Sequence, residues 1–271
     1  MRQPFFLSAR ELVVCWYAVE NNMPCRIIMC HPPTFKVPLH LFHAPIPPQD
    51  AFPNIMHQTW KSSDLPAEFQ RSRQTCIDRN PTLQHMLWTD QMNRHFLKKH
   101  YAWFLETFDG YNSNIKRADA IRYFYMYHFG GVYADLDVKC IRPFDTLAPL
   151  ATLSDVILGR NGNFASSQSI PNAIMASKPS SVFWLRVIEN MATRSNCSTP
   201  MYDTGPEVLR TTYLQQKGAS TILLPSTSFY PLDWQTAEVG AVPHIRREQH
   251  FKLKNFSSHV IAYTYWRHSW G

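Results

Sequence analysis

One short segment constrains the fold more than any other: an apolar stretch that runs directly into two acidic residues. It reads Gly-Gly-Val-Tyr-Ala-Asp-Leu-Asp-Val over residues 130–138. Because side chains alternate faces along a strand, Asp135 and Asp137 are predicted to share one face. Two carboxylates at such a short distance repel each other unless a cation lies between them. Mg²⁺ and Mn²⁺ suit such oxygen ligands and keep positions open for water and substrate phosphates. The segment therefore predicts a divalent-metal site that holds a diphosphate.

The surroundings of this motif decide how much it means, because a lone Asp-x-Asp is usually a solvated turn or a helix cap. Here the pair follows a strand of the buried type, and open α/β sheets bind ligands at the carboxyl ends of their strands. Gly130 and Gly131 are predicted to end the preceding helix and to turn the backbone tightly into the strand. This context favours a functional site.

Composition narrows the class of protein. The chain has 271 residues, of which 45% are hydrophobic and 14% aromatic, enough for a sizeable core. Its net charge is +7, but the basic residues are dispersed along the chain. No block of Lys and Arg and no aromatic–basic repeat indicates a nucleic-acid partner. A mildly basic face is better suited to anionic donors or to an anionic membrane surface.

Several features bear on the cellular compartment. The six cysteines show no CxxC pair and no zinc spacing, so disulfides are allowed but not implied. Sequons at Asn196 and Asn255 fit a protein of the secretory lumen. The apolar run over 11–19 is far shorter than the roughly 20 residues that span a bilayer. It is interpreted as a short helix or as the remnant of an anchor region.

The chain divides into three parts. Residues 31–53 contain seven prolines, a density that forbids a regular helix and is typical of a stem or linker. The segment 1–30 precedes this stem, and a globular domain is predicted over 54–271. Within that domain, strands are predicted at 54–60, 83–88, 155–159 and 221–224 and in the apolar stretch that runs into Asp135 and Asp137. Helices are predicted at about 66–78, 90–100, 113–129, 180–193 and 206–216. Strands that alternate with helices indicate an α/β domain with a largely parallel sheet.

The helix over 113–129 has the clearest pattern of its kind. Its predicted apolar face consists of Ile115, Ala118, Ile121, Tyr125 and Phe129. Asp119 and Arg122 lie one turn apart on it and are predicted to pair.

Three segments, taken in order and spacing, resemble glycosyltransferase family 32. They are Asn-Ile-Met-His-Gln-Thr-Trp-Lys over 54–61, Arg-Ala-Asp-Ala-Ile-Arg-Tyr over 117–123, and the Gly-Gly-Val-Tyr-Ala-Asp-Leu-Asp segment. Later motifs of the family are matched by Thr204-Gly205-Pro206, Phe229-Tyr230-Pro231 and Ser269-Trp270. The family includes fungal Golgi mannosyltransferases and enzymes that mannosylate inositol phosphoceramide. The resemblance covers roughly residues 52–271. It implies a GT-A fold, a Rossmann-like and mostly parallel sheet flanked by helices, that binds a nucleotide sugar and retains anomeric configuration.

The resemblance also implies roles for individual residues. The Asp-x-x-Arg and Asp-x-Asp pair is similar to that of the clostridial glucosylating toxins, so Asp119 would bind sugar hydroxyls and Arg122 the sugar or phosphate. The alternative for that pair is a surface salt bridge. Asp137 would bind Mn²⁺ or Mg²⁺ directly, while Asp135 would reach the ribose, the sugar or a metal-bound water. The expected donor-binding residues are His57, Gln58, Thr59, Trp60, Gly131, Tyr133, Thr204, Gly205 and Trp270, with Asp203 as a further candidate.

The C-terminus departs from the family pattern. Family members commonly have a His five residues before the Ser-Trp pair, where this chain has Thr264. His268 and Ser269 are then the expected additional metal ligands, the alternative being that the metal keeps an extra water in place of the His268 nitrogen. Residues 263–271 are rich in aromatic side chains and are predicted to fold back as a lid over the donor, the alternative being that these aromatics fill the core.

These observations lead to one main functional hypothesis and two alternatives. The main hypothesis is a metal-dependent, retaining hexosyltransferase of the Golgi or another secretory compartment, associated with a membrane. It would move a hexose, with mannose favoured, from GDP-mannose or a UDP-sugar to a glycan or glycolipid. One alternative is a catalytically weak homologue that binds sugar nucleotides. The other is a phosphatase of the haloacid dehalogenase type, which the missing Gly-Asp acidic cluster disfavours.

Overall fold

The structure is a computed structural model and describes residues 51–162, 165–194, 198–216, 220–231 and 259–266. The segment 1–30 and most of the proline-rich stem lie outside the described residues. So do the asparagines of both sequons, Asn196 and Asn255, and the C-terminal residues His268, Ser269 and Trp270. The division of the chain into three parts therefore stays a prediction.

A six-stranded sheet forms the centre of the molecule. The strands are β1 (Ile55–Thr59), β2 (Gln84–Trp88), β3 (Gly131–Ala134), β4 (Val138–Cys140), β5 (Val156–Gly159), β6 (Ile174–Ser177), β7 (Thr221–Leu224) and β8 (Ala262–Thr264). The order across the sheet is β2-β1-β3-β6-β5-β7, and β6 alone runs antiparallel to its neighbours. The predicted mostly parallel α/β sheet is confirmed.

Helices cover the sheet and connect its strands. They are α1 (Ala67–Arg79), α2 (Asp90–His100), α3 (Leu105–Asp109), α4 (Asn114–His128), α5 (Ala148–Ala151), α6 (Val182–Ala192), α7 (Pro200–Asp203), α8 (Pro206–Gln215) and α9 (Ser226–Phe229). Short 3₁₀ turns lie at Ala102–Phe104 and Phe144–Leu147. Thr89 caps α2 by accepting a hydrogen bond from the Met92 backbone N–H at 3.3 Å.

Each face of the sheet has its own apolar core. On one face, Tyr133, Leu158 and Met175 of the sheet pack with residues of α2, α4 and α6. On the other face, Met56 and Val132 pack against a smaller layer. That layer contains the antiparallel pair β4–β8, and a disulfide between Cys76 and Cys140 fastens it to α1.

The prediction for α4 was right about its limits but wrong about its surroundings. An amphipathic helix with one apolar face was expected, yet 11 of its 15 residues are buried. Lys116, Asp119 and Arg122 are among them. The helix runs through the interior, where its charged side chains are paired. The alternative of a surface salt bridge at Asp119 and Arg122 is therefore wrong.

One strand of the sheet was not predicted. Ile174–Ser177 is a fully buried run of four residues, too short to show a periodicity. It forms β6, between β3 and β5. Because β6 runs against its neighbours, the segment just before it reaches the edge where β3 and β5 end. That reversal brings residues to the site that no local pattern marks.

Candidate functional site

Five strands of the sheet run in one direction, and we call the edge at which they end the carboxyl edge. Pairing of β3 with β6, and of β6 with β5, sets Ala134, Ile174 and Gly159 at this edge. The ladder continues one step further, because the backbone N–H of Asp135 donates to the carbonyl of Ala173 at 2.9 Å. Ligands of open α/β sheets bind at such an edge. The Asp-x-Asp motif therefore lies where the topology predicts a site.

The local geometry of the motif differs from the prediction. The strand ends at Ala134, and Asp135, Leu136 and Asp137 form a turn, here called the acidic turn, closed by a hydrogen bond from the Val138 N–H to the Asp135 carbonyl at 3.1 Å. Strand alternation therefore does not set the directions of the two carboxylates, and that prediction was wrong. Leu136 is buried, while both acidic residues are half-buried. The apolar residue between them anchors the turn to the core.

Asp119, Arg122 and Asp135 form a buried charge network below this turn. One guanidinium nitrogen of Arg122 lies 2.9 Å from Asp119 Oδ1, and another lies 3.2 Å from Asp135 Oδ1. Arg122 also donates to the backbone carbonyl of Asn172 at 2.9 Å. Its side chain is only 2% exposed. A buried guanidinium with partners on all sides holds the helix and the acidic turn in a fixed relation.

The pKa values of Asp119 and Arg122 in this network are shifted from their ordinary values. Burial raises the pKa of Asp119 to about 6, with the nearby Asp135 charge adding to the rise, while Arg122 and a hydrogen bond from Asn172 oppose it. Burial lowers the pKa of Arg122, but Asp135, Tyr133 and Asp119 together raise it above its ordinary value. Strongly shifted groups gathered at a ligand-binding edge are typical of functional sites.

Asn172 and Tyr123 belong to the same network, although neither was predicted as a site residue. The side-chain amide of Asn172 donates to Asp119 Oδ1 at 3.0 Å and to the Tyr123 hydroxyl at 3.1 Å. Asn172 lies two residues before β6, so it was overlooked together with that strand. Tyr123 ends the Asp-x-x-Arg segment, and only its packing reveals its role.

Tyr123 also connects the network to the segment 203–205. Its hydroxyl approaches the backbone carbonyls of Thr204 and Gly205 at 2.9 and 3.2 Å. Asp203, a candidate donor residue from the sequence, instead forms a buried ion pair with Lys116 at 2.7 Å. This ion pair explains Asp203 without a ligand.

Two of the predicted donor residues on β1 are occupied inside the protein. The Trp88 indole donates to Nδ1 of His57, so Nε2 carries the proton and donates to the Gly130 carbonyl at 3.0 Å. Burial lowers the pKa of His57 to about 4, against the opposing effect of that carbonyl. Thr59 donates to the Trp88 carbonyl and accepts from Asn93. The structure places both side chains in the core on the α4 face.

Gln58 differs from its neighbours in β1. It is 1% exposed, and neither its side-chain oxygen nor its nitrogen has a hydrogen-bond partner. Trp60, two residues further, packs edge-on against Phe69 with ring centroids 5.0 Å apart, in a cluster with Leu136 of the acidic turn. A buried amide without a partner is costly and requires an explanation.

Gly131 and Tyr133, also predicted as donor residues, have clear structural roles. Gly131 has φ +83°, and a Cβ there would collide with the backbone carbonyl of Ile55. Tyr133 is fully buried, lies 4.7 Å below the Arg122 guanidinium, and donates its hydroxyl to Asp135 Oδ1 at 2.7 Å. Tyr133 therefore positions Asp135.

The position of the family histidine lies next to the acidic turn. Thr264 in β8 pairs with Val138, the residue that follows Asp137. Its hydroxyl accepts a hydrogen bond from the Trp266 backbone at 3.1 Å. Of the described residues of the predicted lid, Tyr263 and Thr264 are buried, while Tyr265 and Trp266 are half-buried. The proposed ligands His268 and Ser269, and the proposed donor residue Trp270, lie outside the described residues.

The acidic turn fits a divalent metal by the chemistry of its donors. Asp119 and Asp135 both pair with the single guanidinium of Arg122, and Asp137 adds a further carboxylate in the same turn as Asp135, so a divalent cation would balance the negative charge that remains. Within the described ranges, no group of three or more acidic, His or Cys side chains forms a complete metal site. A metal held by Asp137 and Asp135 would thus take further ligands from substrate phosphate and water, as Mg²⁺ commonly does.

Comparison with known proteins agrees with this geometry. Residues 66–153 match the family described as "Glycosyltransferase sugar-binding region containing DXD motif". No helix among the described residues has both the length and the apolar character needed to cross a membrane. The matched segment 66–153 contains Asp119, Arg122 and the acidic turn, while Asn172 lies beyond it.

Several curated proteins are similar to the chain. A mannosyl phosphorylinositol ceramide synthase of Saccharomyces cerevisiae is 37% identical over 80% of this chain and 52% of its own length. Inositol phosphoceramide mannosyltransferase 2 of Schizosaccharomyces pombe is 36% identical over 58% of this chain and 45% of its own. The chain thus spans about half the length of these relatives. Among solved structures, PaToxG Glycosyltransferase gives a TM-score of 0.49 at 11% identity, over 92% of this chain and 87% of that one.

The matched sugar-binding region and the fungal relatives agree with the Asp-x-x-Arg and Asp-x-Asp motifs of the sequence. The chain is thus similar to glycosyltransferases that contain the DXD motif and, among the curated proteins, to fungal inositol phosphoceramide mannosyltransferases.

Proposed function

We propose that this protein transfers a hexose from a nucleotide sugar to a hydroxyl of a glycolipid or glycan, with retention of configuration. Mannose from GDP-mannose is the favoured donor, a UDP-sugar being the other option, and a phosphoinositol ceramide is the favoured acceptor. The names of the similar fungal proteins support mannose and this acceptor. The observation that carries the proposal is the buried network of Asp119, Arg122 and Asp135 below the acidic turn.

The residues of the network have separate tasks in this proposal. Asp119, held by Arg122 and Asn172, accepts hydrogen bonds from hydroxyls of the donor hexose. Arg122 offers positive charge next to the departing diphosphate, where fixed charges lower the barrier most. Asp137 and Asp135 hold Mn²⁺ or Mg²⁺, which when bound stabilises the negative charge of the leaving diphosphate. The acceptor hydroxyl forms a bond to the anomeric carbon on the side from which the diphosphate departs, and its proton passes to the departing diphosphate oxygen.

Gln58 and Trp60 serve the nucleotide end of the donor. A carboxamide without a partner offers one donor and one acceptor side by side, which suits the edge of a nucleobase. Trp60 lies at the end of the same strand and supplies an aromatic surface. His57, Thr59 and Gly131 support the site from within the core, and Tyr133 positions Asp135. Thr204 and Gly205 lie next to the hexose.

A weak binding protein and a phosphatase remain the alternatives. The Thr264 hydroxyl accepts a hydrogen bond from the Trp266 backbone, which supports a weaker metal site at this position. A weaker metal site would favour the binding protein. Against the phosphatase, Asp135 is tied to Arg122 and Tyr133 and so is poorly placed to act as a nucleophile.

Compartment and membrane association are part of the proposal. The Cys76–Cys140 disulfide supports an oxidising lumen such as that of the Golgi, because cytosolic thiols are kept reduced. A glycolipid acceptor would require access to a membrane surface.

One experiment tests the main proposal. Full-length protein is incubated with GDP-mannose, UDP-glucose or UDP-galactose, with Mn²⁺ or chelator, and with phosphoinositol ceramide in detergent. We expect a mannosylated lipid with GDP-mannose and Mn²⁺, and none with chelator. Thermal shifts with each nucleotide sugar then separate the alternatives. Stabilisation without turnover would support the binding protein, and phosphate release from an aryl phosphate would support the phosphatase.

A further inference from the structure

Asn161 carries a second buried carboxamide that has no partner. The residue is 2% exposed, and neither Nδ2 nor Oδ1 forms a hydrogen bond. Its backbone is well held, because the Asn161 N–H donates to the Ser169 carbonyl at 2.8 Å. Buried amide groups normally find partners, so a side chain that leaves both of its polar atoms unused needs an explanation.

The place of Asn161 in the fold supplies one. It follows β5 by two residues, and the Arg160 N–H still pairs with the Leu224 carbonyl of β7 at 2.9 Å. Asn161 therefore lies at the carboxyl edge, like Asp135 after β3 and Asn172 before β6. Because neighbouring strands are about 4.8 Å apart, β5 lies about 10 Å across the sheet from β3. Gln58, on β1, lies on the opposite side of β3.

A chain of contacts connects Asn161 to the donor-sugar end of the site. The loop 165–169, which accepts the Asn161 N–H, reaches α7 through Gln168, whose side chain contacts Met201 Sδ at 3.1 Å. Met201 in turn lies against Gly205. A Cβ on Gly205 would be 3.0 Å from Met201 Cα and 3.2 Å from Asp119 Oδ2. The loop beside Asn161 thus contacts Met201, which packs against Gly205 next to Asp119.

The order along the edge indicates which ligand Asn161 meets. Gln58 on β1, the acidic turn after β3 and Asn172 before β6 serve base, diphosphate and hexose in the proposed function, and β5 follows next. A carboxamide with a free donor and a free acceptor matches two neighbouring hydroxyls. We propose that Asn161 binds hydroxyl groups of a polyol acceptor, a cyclitol or a sugar, and selects the hydroxyl that receives the hexose. This inference rests on the proposed transferase function.

Asn161→Leu is the variant that tests it, because it keeps the volume and removes both polar atoms. Since the amide has no partner in the free protein, we expect an unchanged or higher melting temperature. The acceptor KM should rise about 10-fold or more, as for the loss of hydrogen bonds to a substrate. The donor KM, and hydrolysis of the nucleotide sugar without acceptor, should stay at wild-type values.

Thr221→Val is the matched control. Its buried hydroxyl also has no partner, but Thr221 begins β7 and so lies at the opposite edge of the sheet. We expect this variant to leave both KM values unchanged. An unchanged acceptor KM in Asn161→Leu would overturn the inference. Changes in donor KM and in donor hydrolysis as large as the change in acceptor KM would overturn it too.

A second measurement keeps the test decisive if Asn161→Leu folds poorly. Soluble inositol phosphate and its singly deoxygenated analogues are offered to wild-type protein and to Asn161→Ser. For the wild type, removal of one particular hydroxyl from the acceptor should lower kcat/KM by the same factor as Asn161→Ser does with the full acceptor. For the variant, removal of that hydroxyl should leave kcat/KM unchanged. Equal sensitivity of both proteins to every analogue would overturn the inference. Donor hydrolysis by the wild type tests the transferase proposal separately.

Discussion

The guanidinium of Arg122 lies 3.2 Å from the Asp135 carboxylate and so joins the buried helix α4 to the first residue of the acidic turn. This contact gives the two acidic residues of the turn different expected sensitivities. Asp135 is a partner of a buried cation, so its loss disturbs the fold as well as the site. Asp137 is the better position for testing chemistry.

We therefore expect Asp137→Asn to abolish transfer with a nearly unchanged melting temperature, because the change keeps the volume and removes one ligand charge. Asp135→Asn should lower both turnover and melting temperature. The measurements are transfer from the nucleotide sugar and thermal unfolding of each purified variant. Full activity of Asp137→Asn, or of wild-type protein in excess chelator, would contradict the metal-dependent mechanism.

Asp119→Asn should weaken donor binding by about 1–3 kcal/mol, the range for losing a hydrogen bond to a charged group. The change also removes a carboxylate that burial disfavours, so stability should fall less than for Asp135→Asn. Isothermal titration with the intact nucleotide sugar measures the effect. Asp109→Asn is the control, since it disrupts only the exposed Arg94–Asp109 pair and should leave donor affinity unchanged. Equal affinities in the two variants would refute the role of Asp119.

Breaking the buried Lys116–Asp203 pair from one side should be severe. Lys116→Met or Asp203→Asn should each destabilise the fold by about 3–5 kcal/mol, because the remaining group loses its buried partner. The double variant should recover part of that loss. Denaturant unfolding of the three variants gives the values. Losses that simply add would show that the two residues do not depend on each other.

The disulfide should matter for stability outside a reducing environment. It closes a loop over a sequence separation of 64, so its loss should cost about 2–4 kcal/mol. Cys76→Ser, Cys140→Ser and the double variant should lose the same amount, because each removes the same bond. Unfolding midpoints with and without reductant test this. Wild-type protein whose midpoint ignores reductant would argue against the bond.

The neutral His57 should make the fold sensitive to acid. Its pKa is lowered from 6.5 to about 4, so the unfolded chain binds the proton more readily. The stability that neutral His57 contributes is fully present above pH 6.5 and decreases as the pH falls towards 4. Well below pH 4 the total loss is about 3 kcal/mol. His128, whose pKa burial and His100 lower to about 4, acts in the same direction.

The melting temperature should accordingly fall between pH 6.5 and 4, and less steeply in His57→Phe even though that variant is less stable overall. NMR titration of the His57 ring checks the cause directly. A ring that titrates near pH 6.5 in the folded protein would refute it.

Local patterns in the sequence were enough to predict most elements. Strand β7 was predicted residue for residue, and helix α4 was predicted within one residue at each end. Gly130 and Gly131 have the positive φ angles expected of a tight entry into β3. The Asp119–Arg122 pair follows from helix geometry alone. These features depend on neighbours within a few residues, where periodicity, caps and glycine conformations act.

Tertiary structure alone decided which of these residues meet. Asn172 reaches Asp119 across 53 positions, and Tyr123 reaches Thr204 across 81, because β6 is reversed and α4 is buried. The same packing placed His57 and Thr59 in the core, although they share a motif with Gln58. It also left the carboxamides of Gln58 and Asn161 without partners. Contacts of this range depend on how whole elements pack, and a chain's local hydrogen bonding and hydrophobic periodicity do not encode that.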